Sequence, residues 1–382
     1  MNTPINLSQI QGDNFCPAPW TNLHINGHRQ VKPCCGGHGF RDFVEDEWAY
    51  LDVDNHKLNQ LKDDLLNNQS VDFCKGCYEW SWYTELLKNE DVIINHPHDF
   101  SLRSLDLRWA TTCQLSCTYC DSGQSSTWAQ LESRKNSIPI KATRLRDNSK
   151  DRLWEVLEQN KSSIQRIAML GGEPLLLKDN LTILDMFDES VKIEIMTNLN
   201  VDLENNEIYK KAIRRDNVRW HVSMENVGQR FEFVRRGSDW ERQHHNIQKL
   251  YNETISSIPI TIQSQYCAYS ALNLHELYSY FYQYQDNLII SLVEGLTRPE
   301  SLNFFNYPEK YKQQSIVELE SIIANYPEIF RYNLDVLINK LKDTWNNQDP
   351  DIVNRTIDWH KEQEDTFFNN RFNFLDLWPQ YA

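Results

Sequence analysis

No stretch of this sequence approaches the ~18 uninterrupted apolar residues that a membrane-spanning helix requires. The polar opening, Met1 to Asn14, is followed by neither the basic start nor the apolar run of a secretory signal. Positive charge is also short. Lys and Arg number 39 against 54 Asp and Glu, a net −15, which disfavours a nucleic-acid backbone or an anionic membrane as the main partner. There is no internal repeat and no low-complexity tract. These absences lead us to expect a cytoplasmic protein that binds no membrane and for which nucleic acid is a disfavoured partner. At ~150 residues per domain, 382 residues make two or three domains. With 40% apolar residues the chain can build a core without disulfide staples.

What stands out is cysteine. Eight of the nine, Cys16, Cys34, Cys35, Cys74, Cys77, Cys113, Cys117 and Cys120, fall in the first third, and Cys267 stands apart. In a reducing compartment such clustering favours metal binding over disulfides.

Up to about residue 100 the pattern predicts little regular structure. Asn22–Ile25 and Gln30–Lys32 around Asn26-Gly27 read as a hairpin, since Asn-Gly is the strongest two-residue turn signal. Leu58, Leu61, Leu65 and Leu66 place a helix over 54–68, and Ile94–His98 reads as a linker. From 101 onward short apolar runs alternate with amphipathic ones. Strands are expected at 102–108, 165–170, 192–197, 218–224, 258–266 and 288–293. Helices are expected near 125–136, 148–161, 179–190, 203–215, 239–252 and 273–285. Six strands alternating with helices predict a parallel α/β sheet, open or closed, with ligands at the C-terminal strand ends. Residues 303–382 read as a polar helical tail docked by aromatics. The 12 Trp are read as packing rather than as a stacking surface for a ligand.

After the first predicted strand comes Cys113-Gln114-Leu115-Ser116-Cys117-Thr118-Tyr119-Cys120. Three thiolates so spaced can hold three irons of a [4Fe-4S] cluster, leaving the fourth iron open to a small molecule. A structural zinc, the alternative, wants a fourth closing ligand. After the second strand comes Gly171-Gly172-Glu173-Pro174. Glycines let a ligand approach the main chain, and a carboxylate complements an ammonium group.

Together, in this order, these motifs resemble the radical S-adenosylmethionine (SAM) superfamily over roughly residues 101–295. The resemblance implies that Cys113, Cys117 and Cys120 hold the cluster and that Tyr119 lies near the adenine. It implies that Gly171, Gly172 and Glu173 receive the amino group of SAM, and that Asn198 and Ser223 touch the ribose. It gives the SAM carboxylate to Arg235, with neighbouring Arg236 as the alternative; a guanidinium suits that bidentate pairing.

The order of the N-terminal cysteines is similar to the auxiliary modules called twitch or SPASM. Cys16 is followed by the hairpin, then by Pro33-Cys34-Cys35, then by Cys74-Lys75-Gly76-Cys77. The resemblance implies one auxiliary [4Fe-4S] cluster on Cys16, Cys34, Cys74 and Cys77, with Cys35 the alternative to Cys34. Such modules usually follow the barrel, whereas here the cysteines precede it. The competing reading is a four-cysteine zinc site.

The expected architecture is therefore α/β: a partial (β/α)6 TIM-like barrel over 101–300, a small iron–sulfur module over 1–100 and a C-terminal helical segment over 301–382. The implied activity is reductive cleavage of SAM to a 5′-deoxyadenosyl radical that takes hydrogen from substrate. The outcome expected is oxidative modification of a peptide or small metabolite, with a reductase such as flavodoxin or ferredoxin supplying electrons. In a redox-neutral epimerisation or rearrangement, Cys267, just past the fifth strand, is the candidate hydrogen donor. Tyr266, Glu225 and Glu294 also fall near strand ends as substrate-binding or proton-taking candidates. The reading outside enzymology is a metal-binding scaffold that leaves SAM intact.

Overall fold

The computed structural model describes residues 4–25, 31–34, 56–74, 91–145, 147–294, 296, 299–368 and 373–382. Among these are ten strands: β1 (Ile5–Asn6), β2 (Asn22–Ile25), β3 (Val31–Lys32), β4 (Ile93–Ile94), β5 (Ser104–Leu107), β6 (Arg166–Met169), β7 (Lys192–Thr197), β8 (Val218–Ser223), β9 (Ile260–Gln265) and β10 (Leu288–Val293). Eight of them form a mostly parallel sheet in the order β10-β9-β8-β7-β6-β5-β2-β3. The six strands expected from alternation are β5 to β10, each within three residues of its expected ends. Their faces explain them: in β10 buried and half-buried residues alternate, whereas β5 and β6 are buried throughout.

The chain packs as two compact units, Met1–Thr111 with Thr143–Glu194 and Thr112–Ala142 with Ile195–Ala382. In the first unit β2 and β3 form the expected antiparallel pair, His24 opposite Lys32 and Ile25 opposite Val31. The Asn26-Gly27 turn lies outside the described residues. β2 also pairs in parallel with β5, so the hairpin extends the sheet that β5 and β6 continue. The stretch read as a linker is partly strand: Ile93 and Ile94 pair antiparallel with Asn6 and Ile5. The helix expected over 54–68 runs His56–Leu66 and buries Leu58, Leu61 and Leu65.

Beneath these strands lies a buried charged network. Arg166 donates to Asp106 at 2.8 Å, to Ser104 Oγ at 3.1 Å and to Glu194 at 2.6 and 3.0 Å. His24 Nδ1 sits 3.3 Å from Asp106 Oδ2. Burial pulls the His24 imidazole below its ordinary value despite Asp106, so it stays neutral and donates to the carboxylate. Burial works against ionisation of Asp106, but the His24 hydrogen bond and the Arg166 charge outweigh it and hold the carboxyl at about 2.

In the second unit β8, β9 and β10 run parallel, with Ser223 opposite Gln263 and Val293 opposite Gln265. The helix expected from 203 starts only at Glu207, because Asn206 caps it by accepting from Tyr209 N at 2.9 Å. In the first unit, the helix expected to reach 190 stops at Met186, where the backbone turns extended at Phe187 and Asp188 accepts from Ser190 N. The C-terminal helices Glu309–Asn325, Leu334–Asp343 and Ile352–Gln363 are followed by aromatics that seal onto the loop after β9. Trp378 Nε1 donates to Tyr269 O at 2.9 Å, and Tyr381 OH donates to Ala268 O at 2.8 Å. Among the described residues no helix is long and apolar enough to cross a membrane.

Candidate functional site

Cys113, Cys117 and Cys120 lie on one loop of the second unit. The sequence just beyond it, Ser125-Ser126-Thr127, holds that loop and starts the helix Ser126–Asn136. Ser125 Oγ caps the helix, accepting from Thr127 N and Trp128 N, and donates to Leu115 O at 2.6 Å. Ser126 Oγ accepts from Cys113 N and donates to Cys113 O, both at 3.0 Å, while Thr127 Oγ1 donates to the same carbonyl at 2.7 Å. Trp128 Nε1 donates to Cys117 O at 2.8 Å, and Cys120 N closes a turn onto Cys117 O at 2.9 Å. Two backbone bonds, Ser116 N to Arg236 O and Thr118 N to Val234 O, stitch the loop to the end of the helix Gly228–Val234. Gly237, at φ +90°, leaves room there: a Cβ would stand 3.3 Å from Gln114 O.

Donors are aimed at the sulfurs. Leu115 N lies 3.4 Å and Asn198 Nδ2 3.8 Å from Cys113 Sγ, and Arg235 Nη1 lies 3.9 Å from Cys117 Sγ. Burial pushes the Cys117 thiol up. Burial also raises Cys120, and charge on Cys117 and Cys113 raises it further, so the three sulfurs feel one another. Arg235 works against that rise at Cys117, and a bound metal cation would deprotonate such thiols outright. Among the described residues no three His, Cys, Asp or Glu converge on one point as ligands of a single ion. A four-iron cluster takes one thiolate at each of three corners and leaves its fourth iron open, so three cysteines suffice for it, whereas a structural zinc wants a fourth closing ligand. A cleft of ≈ 350 Å³ opens beside Cys120, walled by Trp128, Trp359 and Phe367.

The half-buried Tyr119 and the buried Glu225 and Arg235 form a triad next to Cys117. Arg235 Nε and Nη2 donate to the two Glu225 oxygens at 3.0 and 2.8 Å. Nη2 also donates to Tyr119 OH at 2.8 Å, and that hydroxyl donates to Glu225 Oε1 at 2.8 Å. Burial works against the charge on Arg235, but Glu225 outweighs it and the guanidinium holds its proton. Arg236 instead pairs with Glu364 and lies 3.9 Å above the Phe368 ring.

Asn198, just past β7, accepts from Gln114 Nε2 and from Asn200 N, both at 2.9 Å, and so braces the cysteine loop. Ser223 is half-buried at the end of β8. Cys267 has no exposed surface, and burial lifts its thiol to about 12. Tyr266 is committed to Ser315 at 2.7 Å, and Glu294 pairs with Lys340.

In the first unit, Gly171 and Gly172 turn the chain after β6, and Gly172 N donates to Ala110 O at 3.3 Å. Gly171 has φ +154°, and a Cβ there would meet Leu177 Cδ1 at 2.8 Å. Glu173, fully buried, caps its own turn by accepting from Leu175 N at 3.0 Å. Of the N-terminal cysteines, Cys16 precedes the helix Ala18–Thr21, Cys34 follows β3 and Cys74 ends the short helix Asp72–Cys74. Cys35 and Cys77 lie outside the described residues.

The family model described as the Radical SAM superfamily matches residues 108–263. The matched stretch includes the cysteine loop. It contains Cys113, Cys117, Cys120, the Gly171–Glu173 turn, Asn198, Ser223, Glu225 and Arg235. It leaves out Cys267 and the N-terminal cysteines. No curated protein matches the sequence. Among solved structures, this chain is similar to Streptococcus suis SuiB bound to precursor peptide SuiA, at 12% identity and TM-score 0.43, over 74% of this chain and 64% of that one. It is also similar to SuiB bound to S-adenosylmethionine, at 14% identity and TM-score 0.42, over 70% of this chain and 57% of that one. For SuiB alone the figures are 13%, 0.43, 74% and 63%. The chain thus spans less than two thirds of these structures.

The sequence motifs did not reveal the bracing groups. Gln114 and Trp128 carry no motif signal, although the run of three hydroxyl residues at the start of a helix marks where the loop is held.

Proposed function

We propose that this chain is a radical SAM enzyme. The observation that supports the reading is the cysteine loop inside the matched stretch, where donors from Leu115 and Asn198 face Cys113 Sγ and one from Arg235 faces Cys117 Sγ. A [4Fe-4S] cluster held there would supply the electron that cleaves bound SAM, yielding a 5′-deoxyadenosyl radical able to take hydrogen from an unactivated carbon. The chain's own work is to hold, orient and exclude. Ser126, Thr127 and Trp128 fix the loop backbone, and Tyr119 is held by two hydrogen bonds as a wall for the adenine. Gly171, Gly172 and Glu173 receive the amino group, and Asn198 and Ser223 serve the ribose. Arg235 commits four of its five N–H groups to Glu225, Tyr119 and Cys117, so little of it is left for the SAM carboxylate.

The N-terminal cysteines Cys16, Cys34, Cys74 and Cys77 are assigned an auxiliary [4Fe-4S] cluster of twitch type. Four protein thiolates close such a site, so it suits electron acceptance rather than ligand binding. That makes the net outcome oxidative, on a peptide or small metabolite. A flavodoxin- or ferredoxin-type reductase would approach the half-exposed Cys120. A fully buried thiol at Cys267 does not favour the redox-neutral alternative.

The test is anaerobic reconstitution of wild type and a Cys113/Cys117/Cys120→Ala variant, followed by iron, sulfide and zinc counts and a 5′-deoxyadenosine assay with SAM and dithionite. The reading expects about eight irons in wild type and about four in the variant, with deoxyadenosine only from wild type. Zinc in the N-terminal site removes the oxidative role of that module. Intact SAM and an iron-free loop overturn the enzyme assignment in favour of a metal-binding scaffold.

A further inference from the structure

Arg235 and Glu225 are both almost fully buried, with side chains 6% and 1% exposed. Between them they account for each other's charge. The third group on the pair, Tyr119, bonds to both through its hydroxyl, accepting from Arg235 Nη2 and donating to Glu225 Oε1, each at 2.8 Å. The remaining direction of the guanidinium, Nη1, points at Cys117 Sγ, 3.9 Å away. The position is fixed from two sides. Arg235 N bonds Phe231 O at 2.8 Å as the cap of its helix, and Thr118 N, next to Cys117, bonds Val234 O at 2.8 Å. Neither residue can drift relative to the other without breaking a backbone bond.

We infer that Arg235 serves the cluster through Cys117 rather than SAM through its carboxylate, and that Glu225 is the positioning residue that sets how much of its positive charge the cluster feels. This rests on the radical SAM reading of the same loop. The redox step is the one-electron reduction of the cluster by an external reductant, which is oxidised by one electron and adds one negative charge to an already anionic cluster. A nearby cation favours the reduced form and a nearby carboxylate opposes it, strongly so where water is excluded. The pair is thus a matched device with two opposed arms. Tyr119 bonds to both arms, so the residue between Cys117 and Cys120 is oriented by the same pair.

The experiment is a mediated spectroelectrochemical titration, without SAM, of reconstituted wild type, R235Q, E225Q and the double variant, each with its iron count. We expect the midpoint potential to fall in R235Q, to rise in E225Q, and to lie closer to wild type in the double variant than in either single one. A purely structural role would move both single variants the same way. That result, or unchanged potentials in iron-loaded variants, overturns the inference while leaving the enzyme reading intact. If R235Q fails to load iron, E225Q against wild type decides: a rise supports the inference, and no rise overturns it. Absence of a four-iron cluster from wild type defeats the underlying reading, and the inference with it.

Discussion

Arg166 closes on Glu194 with two donors, Nε at 3.0 Å and Nη2 at 2.6 Å, both to Oε2. Its other arm holds Asp106 at 2.8 Å. One guanidinium thus serves two buried carboxylates on neighbouring strands. Arg166→Met keeps an unbranched apolar stem but removes the cation that serves both carboxylates. We expect it to cost about 3–5 kcal/mol in urea unfolding. A midpoint close to wild type would mean that the carboxylates protonate or hydrate at little cost.

The same network should make the fold acid-sensitive in two windows. The folded His24 pKa is depressed below 6.5, so as pH drops below that value the unfolded chain takes a proton that the folded chain refuses, and stability falls. Asp106 adds stability above 3.8 that is lost as pH falls toward about 2, worth ~2 kcal/mol. Unfolding midpoints measured at descending pH should therefore step down twice. His24→Gln should flatten the upper step, and an unaltered upper step would assign it to other groups.

Gly171→Ala should destabilise the turn after β6. The new methyl meets Leu177 Cδ1 at 2.8 Å and Ala110 O at 3.3 Å, at a φ of +154° that side chains rarely adopt. A loss of about 1–3 kcal/mol is expected. Calorimetry showing no change in melting temperature would show that the turn relaxes freely.

Asn198→Ala removes one of the two acceptors for Gln114 Nε2, the other being Asn200 O, and a donor facing Cys113 Sγ. With roughly 1 kcal/mol of bracing gone, a reconstituted cluster should surrender iron to a chelator about fivefold faster. Release at the wild-type rate would make the Gln114 clamp irrelevant to the cluster.

Cys267 should resist alkylation in the native protein. It has no exposed surface, and burial lifts its thiol to about 12, leaving almost no thiolate at pH 8. Peptide mapping after iodoacetamide treatment should find it modified only after unfolding. Labelling of the folded protein would reopen a role in substrate chemistry.

The sheet was legible because β5 to β10 carry their own burial patterns. The cysteine loop was legible because its spacing is local. The pair Glu225–Arg235 was not: both residues were noted, but one for substrate and the other for SAM, since spacing alone does not show which charges neutralise each other. The network of His24, Asp106, Arg166 and Glu194 was hidden for a related reason. His24, Asp106 and Glu194 each interrupt an apolar run and Arg166 opens one, and only register across four strands shows that the four meet.

His24 and Asp106 are 82 positions apart in the chain. Bringing such a span together costs an unfolded chain on the order of 4 kcal/mol in closure entropy. Yet two pairings share that closure, because β1 meets β4 over nearly the same interval as β2 meets β5. Whichever forms first delivers the other at little added cost. Residues 4–25 and 91–107 should therefore gain hydrogen-exchange protection together during refolding, as one slow cooperative step.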